Sequence, residues 1–194
     1  MEKAPSLHEL PPHIRARALV GYYLQSWAYM EADLNEAVGD ALGLSNLQRT
    51  IVCKNMQLSN KLHVLKCVLT LEFHPNSCAE DLKALDAISK LSADRNMIAH
   101  DMFFDDDKGN GVKFLVMKAK GKLSYPETRW SIDDFLERIK RLHELAKVIT
   151  QIGKRLATRN LAPLDQWPPG AFSGTNALAA LGFPKSPMPS SQDE

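Results

Sequence analysis

The chain has 194 residues, of which 44% are apolar and 24% charged, with a formal net charge of +1. That length suits one domain with a substantial core and is short for two, and the composition is that of an ordinary soluble globular protein. The near-neutral balance excludes a strongly basic footprint over the whole chain. Its distribution is uneven, because from Leu161 onward Lys185 stands alone against Asp165, Asp193 and Glu194, so residues 1–160 carry +3. A polyanionic partner is permitted but not demanded.

Three cysteines, Cys53, Cys67 and Cys78, are odd in number and lack a C-x-x-C spacing. Reduced, buried thiols are therefore expected in place of a disulfide framework or a zinc site. The opening "MEKAPSLHELPPHIRAR" has no apolar signal core, and no run of about 18 apolar residues predicts a membrane span. A cytoplasmic protein is the expectation.

In chain order, residues 1–12 form a polar lead-in that ends at Pro11-Pro12. From His13 to about Leu42, apolar residues at Leu19, Tyr23, Trp27, Met30, Leu34, Val38 and Ala41 step by three and four, which predicts an amphipathic helix closed by Gly43. Ser45-x-x-Gln48 has the form of a capping box and predicts a second helix to about Phe73, ended by His74-Pro75-Asn76. Ser77-x-x-Glu80 predicts the start of another, through Leu82, Leu85, Ile88 and Leu91. Whether that helix continues into "DRNMIAHDMFF" or breaks near Ser92 is open at this level.

"DDDKGNG" then reads as a turn, "VKFLVMK" as a strand and "LSYPETRW" as its hairpin partner, confined to an edge or a short length by Pro126. Ser131-x-x-Asp134 opens a last helix with the stripe Phe135, Ile139, Leu142, Leu145, Val148, Ile149, Ile152 and Leu156. Six of the eleven prolines fall after Asn160, so residues 161–194 read as a mostly disordered Pro/Gly/Ser-rich tail. The predicted fold is all-α: an up-and-down bundle of four to five helices over residues 13–160, with a small β-hairpin before the last long helix.

The chemistry concentrates in "ADRNMIAHDMFF", residues 93–104, where Arg95, Asn96 and His100 fall within six positions. Five residues of helix correspond to about 140° of rotation and about 7.5 Å of rise, so Arg95 and His100 do not share a face. Only the long arginine arm brings them towards a common point, and one copy makes a poor catalytic site. Two copies about a two-fold axis would gather two Arg and two His in one cleft, which predicts a homodimer if the motif is functional.

"RNMIAH" within a small helical bundle resembles the R-x4-6-H signature of the HEPN superfamily, in which a polar residue often follows the arginine, as Asn96 does here. "WAYMEADL" and "SNKLHVLK" resemble helices of bacterial HEPN-like proteins more loosely. The resemblance covers residues 13–160 by layout and six residues by motif. It implies a metal-independent endoribonuclease that forms dimers and cleaves RNA through the ribose 2′-hydroxyl, in bacterial defence or as a toxin with a protein antitoxin. His100 would move the proton, Arg95 would stabilise charge on the phosphorane-like transition state, and Asn96 would bond the phosphate or orient the other two. No metal or cofactor is expected, since the six histidines are scattered. A non-catalytic RNA- or nucleotide-binding module is the alternative, and an adaptor tethered by its tail is a third.

Other residues carry weaker expectations. Lys113, Lys118, Lys120 and Lys122 make the hairpin basic, either as phosphate contacts or as a soluble edge. Glu31 borders the first helix's apolar face and is placed to pair with Arg95 or Lys61, or to lie on the surface. Asp94 and Asp101 flank the motif as tuning groups or as exposed carboxylates. Trp27, Tyr22 and Tyr23 are expected in packing, and Trp130 and Trp167 against the ends of the last helix.

Overall fold

A computed structural model describes residues 6–106, 110–119 and 123–159. The expected tail at 161–194, with Trp167, lies outside the described residues, as do Lys120, Lys122 and the middle of the "DDDKGNG" turn. After a 3-10 turn at Leu7–Glu9 come five helices: α1 Pro12–Leu42, α2 Asn46–Asn55, α3 Leu58–Glu72, α4 Pro75–His100 and α5 Ile132–Ala157. Between α4 and α5 lie the short strands β1 Met102–Asp105, β2 Gly111–Leu115, β3 Lys118–Ala119, β4 Leu123–Ser124 and β5 Glu127–Ser131. The all-α bundle with a small β element before its last helix is therefore the observed fold. No described helix is long and apolar enough to cross a membrane.

Helix α1 is the axis of the bundle: it packs along α5 and also meets α2, α3 and α4. Its seven predicted stripe residues, from Leu19 to Ala41, are all buried. Pro12 occupies the first helical position, where its missing N–H costs nothing. The far end closes on Gly43 in the left-handed conformation (φ 63°), with Leu44 N–H returning to the Gly39 carbonyl at 2.9 Å. Helix α5 faces α1 with Phe135, Ile139, Leu142, Leu145, Ile149, Ile152 and Leu156, and Val148 stands at the edge of that stripe.

Two helix boundaries differ from the sequence reading. The helix expected from Ser45 to Phe73 is two helices, because Met56 and Gln57 adopt extended conformations. Neither Gly nor Pro marks the break, but the apolar rhythm does: Ile51, Met56 and Leu58 step by five and two, which one continuous helix cannot keep on one face. Ile51 is accordingly exposed, while Met56 and Leu58 pack against the core. The next helix starts at Pro75 instead of after Ser77, with His74 as its N-cap and His74 Nδ1 accepting from Asn76 N–H at 3.3 Å. The proline thus opens α4 as well as ending the segment before it. Helix α4 then runs without interruption to His100, which settles the question left open at Ser92.

The β element is richer than a hairpin. β1, β2 and β5 form an antiparallel sheet in that order, with Phe103 opposite Phe114 and Val112 opposite Trp130, and β3 pairs separately with β4. β1 comes from "MFFD", immediately after the motif helix. β5 begins just after Pro126 and lies at the sheet edge, where a residue without an N–H is tolerated. Tyr23, Phe114, Trp130 and Phe135 meet in an aromatic cluster, with Trp130 and Phe135 centroids 5.2 Å apart. This cluster ties the sheet to α1 and α5 and so anchors the chain directly beyond His100.

Candidate functional site

The motif occupies the last two turns of α4. Arg95 is half-buried, while Asn96 and His100 are exposed. Within a single chain, Arg95 Nη1 lies 3.3 Å from Asn96 Oδ1 and 3.5 Å from His100 Nε2. The arginine arm therefore does bridge the rotation that separates the two positions, and one copy is enough to bring the three groups together. With His100 in its Nδ1–H tautomer, Nε2 accepts from the guanidinium. His100 is also the last residue of the helix, and Asp101 caps it by returning its N–H to the Met97 carbonyl at 2.9 Å.

Asp94 does not serve its neighbours in the motif. Its Oδ2 accepts from Arg138 Nε of α5 at 3.1 Å. Arg138 also donates to the Asp134 carbonyl at 3.1 Å, and its guanidinium lies 4.0 Å from the centroid of the Trp130 ring. At the other end of α4, Asp81 accepts from Arg155. The two pairs, 81 with 155 and 94 with 138, pin α4 antiparallel to α5, and the second sets the position of the turn that carries Arg95. Beneath it, Tyr23 is fully buried, and its hydroxyl has no hydrogen-bond partner among the described residues. Burial pushes its phenol far above the usual range, the negative charge of Asp94 adds to this, and Arg138 works against both.

Beside the motif lies a cleft of about 480 Å³, within the range of small-molecule sites. Trp27 and Glu31 of α1, Met56 to Ser59 at the α2–α3 break, Leu62 of α3, and Ser89, Ser92, Arg95 and Asn96 of α4 line it. His100 is not part of that lining. Of the two partners considered for Glu31, the structure selects Lys61: Nζ donates to Glu31 Oε1 at 2.9 Å. The Lys61 side chain is only 4% exposed, whereas Glu31 is 34% exposed and faces the cleft. A buried ammonium needs such a partner, since an unpaired one is strongly destabilising.

Of the four hairpin lysines, Lys113 has a described side chain, and it does not line this cleft. Lys113 lies 3.9 Å from Glu127 Oε1 and 5.8 Å from the Phe104 ring centroid, so its contacts are within the sheet. Lys118 falls in β3, with its side chain outside the described residues. Among the described residues, no group of three or more His, Cys, Asp or Glu side chains is arranged to hold a metal ion. Sequence reasoning missed Arg138 and the cleft-forming residues Met56 to Ser59. Arg138 lies 44 residues from Asp94 with no local signal, and the Met56–Ser59 wall exists only because the helix breaks there. No family model, curated protein or solved structure matches the chain.

Proposed function

We propose that the chain is a metal-independent endoribonuclease of the HEPN type, acting on RNA as a homodimer. The observation that carries this reading is the convergence of Arg95, Asn96 and His100 at one point on the surface, next to an open cleft. An incoming phosphodiester supplies better acceptors for the guanidinium than the imidazole does, so substrate binding releases Nε2 from Arg95. The freed Nε2 takes the proton of the ribose 2′-hydroxyl as its oxygen attacks phosphorus. The P–O5′ bond breaks, leaving a 2′,3′-cyclic phosphate, and the departing O5′ takes a proton from His100 of the second copy, across the two-fold axis. That second histidine enters the reaction as the imidazolium and leaves it neutral, while the first copy's imidazole becomes the imidazolium. Arg95 holds the extra charge of the five-coordinate phosphorus and Asn96 orients the guanidinium. Bacterial defence or a toxin–antitoxin pair is the setting proposed for such an activity.

Purified wild type, Arg95→Ala and His100→Ala are incubated with structured and unstructured RNA. Loss of the proton carrier and of the charge stabiliser each lower the cleavage rate, by about 10²- to 10⁴-fold and about 10²- to 10³-fold respectively. Undiminished cleavage by both variants refutes the reading. One observation favours a second reading, a non-catalytic nucleotide- or RNA-binding module: the cleft is lined by Arg95 and Asn96 but not by His100. Binding of RNA by the wild type without formation of cyclic phosphate ends decides for that module.

A further inference from the structure

We propose that the cleft between α1, α3 and α4 is a guanine-specific nucleotide subsite, read by Glu31 and anchored at the phosphate by Arg95. The proposal rests on the nuclease reading only in placing that phosphate beside His100, and the binding itself needs no cleavage.

The cleft has two chemically distinct features. One is cationic in character. Arg95 lines it, and so does the start of α3, where Gln57 makes no side-chain cap and the first turn holds no acidic residue. The N–H groups of Leu58 and Ser59 have no partner among the described residues, because the first returning bonds come from Asn60 and Lys61 to the Gln57 carbonyl. Free N–H groups at a helix start and a guanidinium together suit a phosphate. The other feature is the Glu31 carboxylate. Lys61 holds Oε1, and Oε2 has no partner among the described residues. Met56 and Leu58, half-buried above the core residues Trp27 and Leu62, supply apolar surface for the flat face of a base.

A ligand that satisfies both features carries an anion and, some ångströms away, a donor-rich edge. Among the nucleobases, guanine alone presents two adjacent donors, N1–H and N2–H, to a carboxylate, which only accepts. Adenine and cytosine place a ring-nitrogen acceptor beside their single amino group, and uracil flanks its one N–H with two carbonyl oxygens. Each of these three sets an acceptor against Glu31. The buried Lys61 makes the selection rigid: it needs an acceptor from residue 31, so that carboxylate cannot swing away to suit another base. Guanosine within a strand of RNA and a free guanosine nucleotide share this chemistry.

The test is calorimetric, in a His100→Ala background that leaves the cleft lining intact. Guanosine, adenosine, cytidine and uridine 3′-monophosphates are titrated in turn, followed by oligouridylate with and without one internal guanosine. Charge-assisted hydrogen bonds of this kind predict a preference for guanosine of about 10- to 100-fold. Glu31→Gln keeps an acceptor for Lys61 but turns its amide N–H₂ towards the base, and it is expected to abolish the preference with phosphate binding retained. Ser89→Phe, on the rim and away from the buried pair, fills the cleft and is expected to weaken all four nucleotides. Both variants are first checked for native circular dichroism.

Tighter binding of the guanosine-containing oligomer than of the monophosphate assigns the subsite to RNA, and equal binding assigns it to the free nucleotide. Equal affinity for the four nucleotides, a guanine preference that survives Glu31→Gln, or no binding by any probe overturns the proposal. RNA cleavage by the wild type with no dependence on guanosine overturns it while sparing the nuclease reading, and guanine binding without any cleavage does the reverse.

Discussion

The link between Asp94 and Arg138 is the joint on which the position of the motif depends, and its strength can be worked from its contacts. Arg138→Ala removes an ion pair at 3.1 Å, a bond to the Asp134 carbonyl at 3.1 Å and a guanidinium 4.0 Å from the Trp130 ring centroid. Arg138 is 29% and Asp94 30% exposed, so solvent screens the pair only in part. A partly screened ion pair, a charged hydrogen bond and a cation–π contact are each worth about 1 kcal/mol, and together about 2–3 kcal/mol. For a domain of this size that corresponds to a fall in Tm of about 4–12 °C. A double-mutant cycle with Asp94→Ala isolates the pair, with an expected coupling of about 1 kcal/mol. Thermal unfolding followed by circular dichroism reads all four proteins. A shift under about 1 °C for Arg138→Ala, or strictly additive single mutations, would show that the link between Asp94 and Arg138 does not hold the motif turn in place.

Two further outcomes follow from the same geometry. At the start of α5, Asp134 accepts from the Ser131 backbone N–H and hydroxyl, both at 2.8 Å, which holds its carboxyl below the ordinary value of 3.8. A depressed folded value means stability that is complete above 3.8 and is lost as pH falls through the folded value; Asp134→Ala is therefore expected to cost about 1 kcal/mol at pH 7 and progressively less as pH falls below 3.8, measured by urea unfolding across that range. Of the three thiols, Cys53 and Cys78 are buried, and burial pushes the Cys53 thiol up, whereas Cys67 is partly open to solvent; a thiol reagent is expected to label Cys67 rapidly in the native protein and the other two only on unfolding, and fast labelling of two or three would contradict the packing.

The sequence exposes those features whose cause is local. Stripes on α1 and α5, the capping boxes at Ser45 and Ser131, and the stop at Gly43 arise from residues within a few positions of one another, and each is legible as such. Boundaries set by tertiary packing leave only a faint trace, such as the step of five and two from Ile51 to Met56 and Leu58. The α2–α3 break buries Met56 and Leu58 against the other helices, and strand β1 forms because Phe103 has Phe114 to lie against. The candidate site divides the same way. Arg95, Asn96 and His100 are visible as a motif, but the groups around them come from α1, α3 and α5, with Glu31 64 residues away from Arg95 and Trp27 farther still. Periodicity can place Glu31 on the border of an apolar face, yet only the packed structure chooses Lys61 as its partner and turns it to the cleft that Arg95 lines.

The meeting of Arg95 and His100 within one chain sharpens what a two-fold partner has to add. If the pair from a single chain performed the whole reaction, a dimer would hold two independent sites, and a chain lacking either residue would stay inactive whatever its partner. If the partner's groups complete the site, an Arg95→Ala chain still supplies a histidine and a His100→Ala chain still supplies an arginine across the axis. The two inactive variants are therefore coexpressed with different tags, and the mixed dimer is isolated by sequential affinity steps. The composite site predicts RNA cleavage by the mixed dimer well above either parent homodimer, though below wild type, because one proton carrier and one charge stabiliser are missing. A mixed dimer as inactive as its parents would place the chemistry within one chain. In that case the 3.5 Å approach of Nη1 to Nε2 is the complete catalytic pair, and the proton for the leaving oxygen must come from solvent.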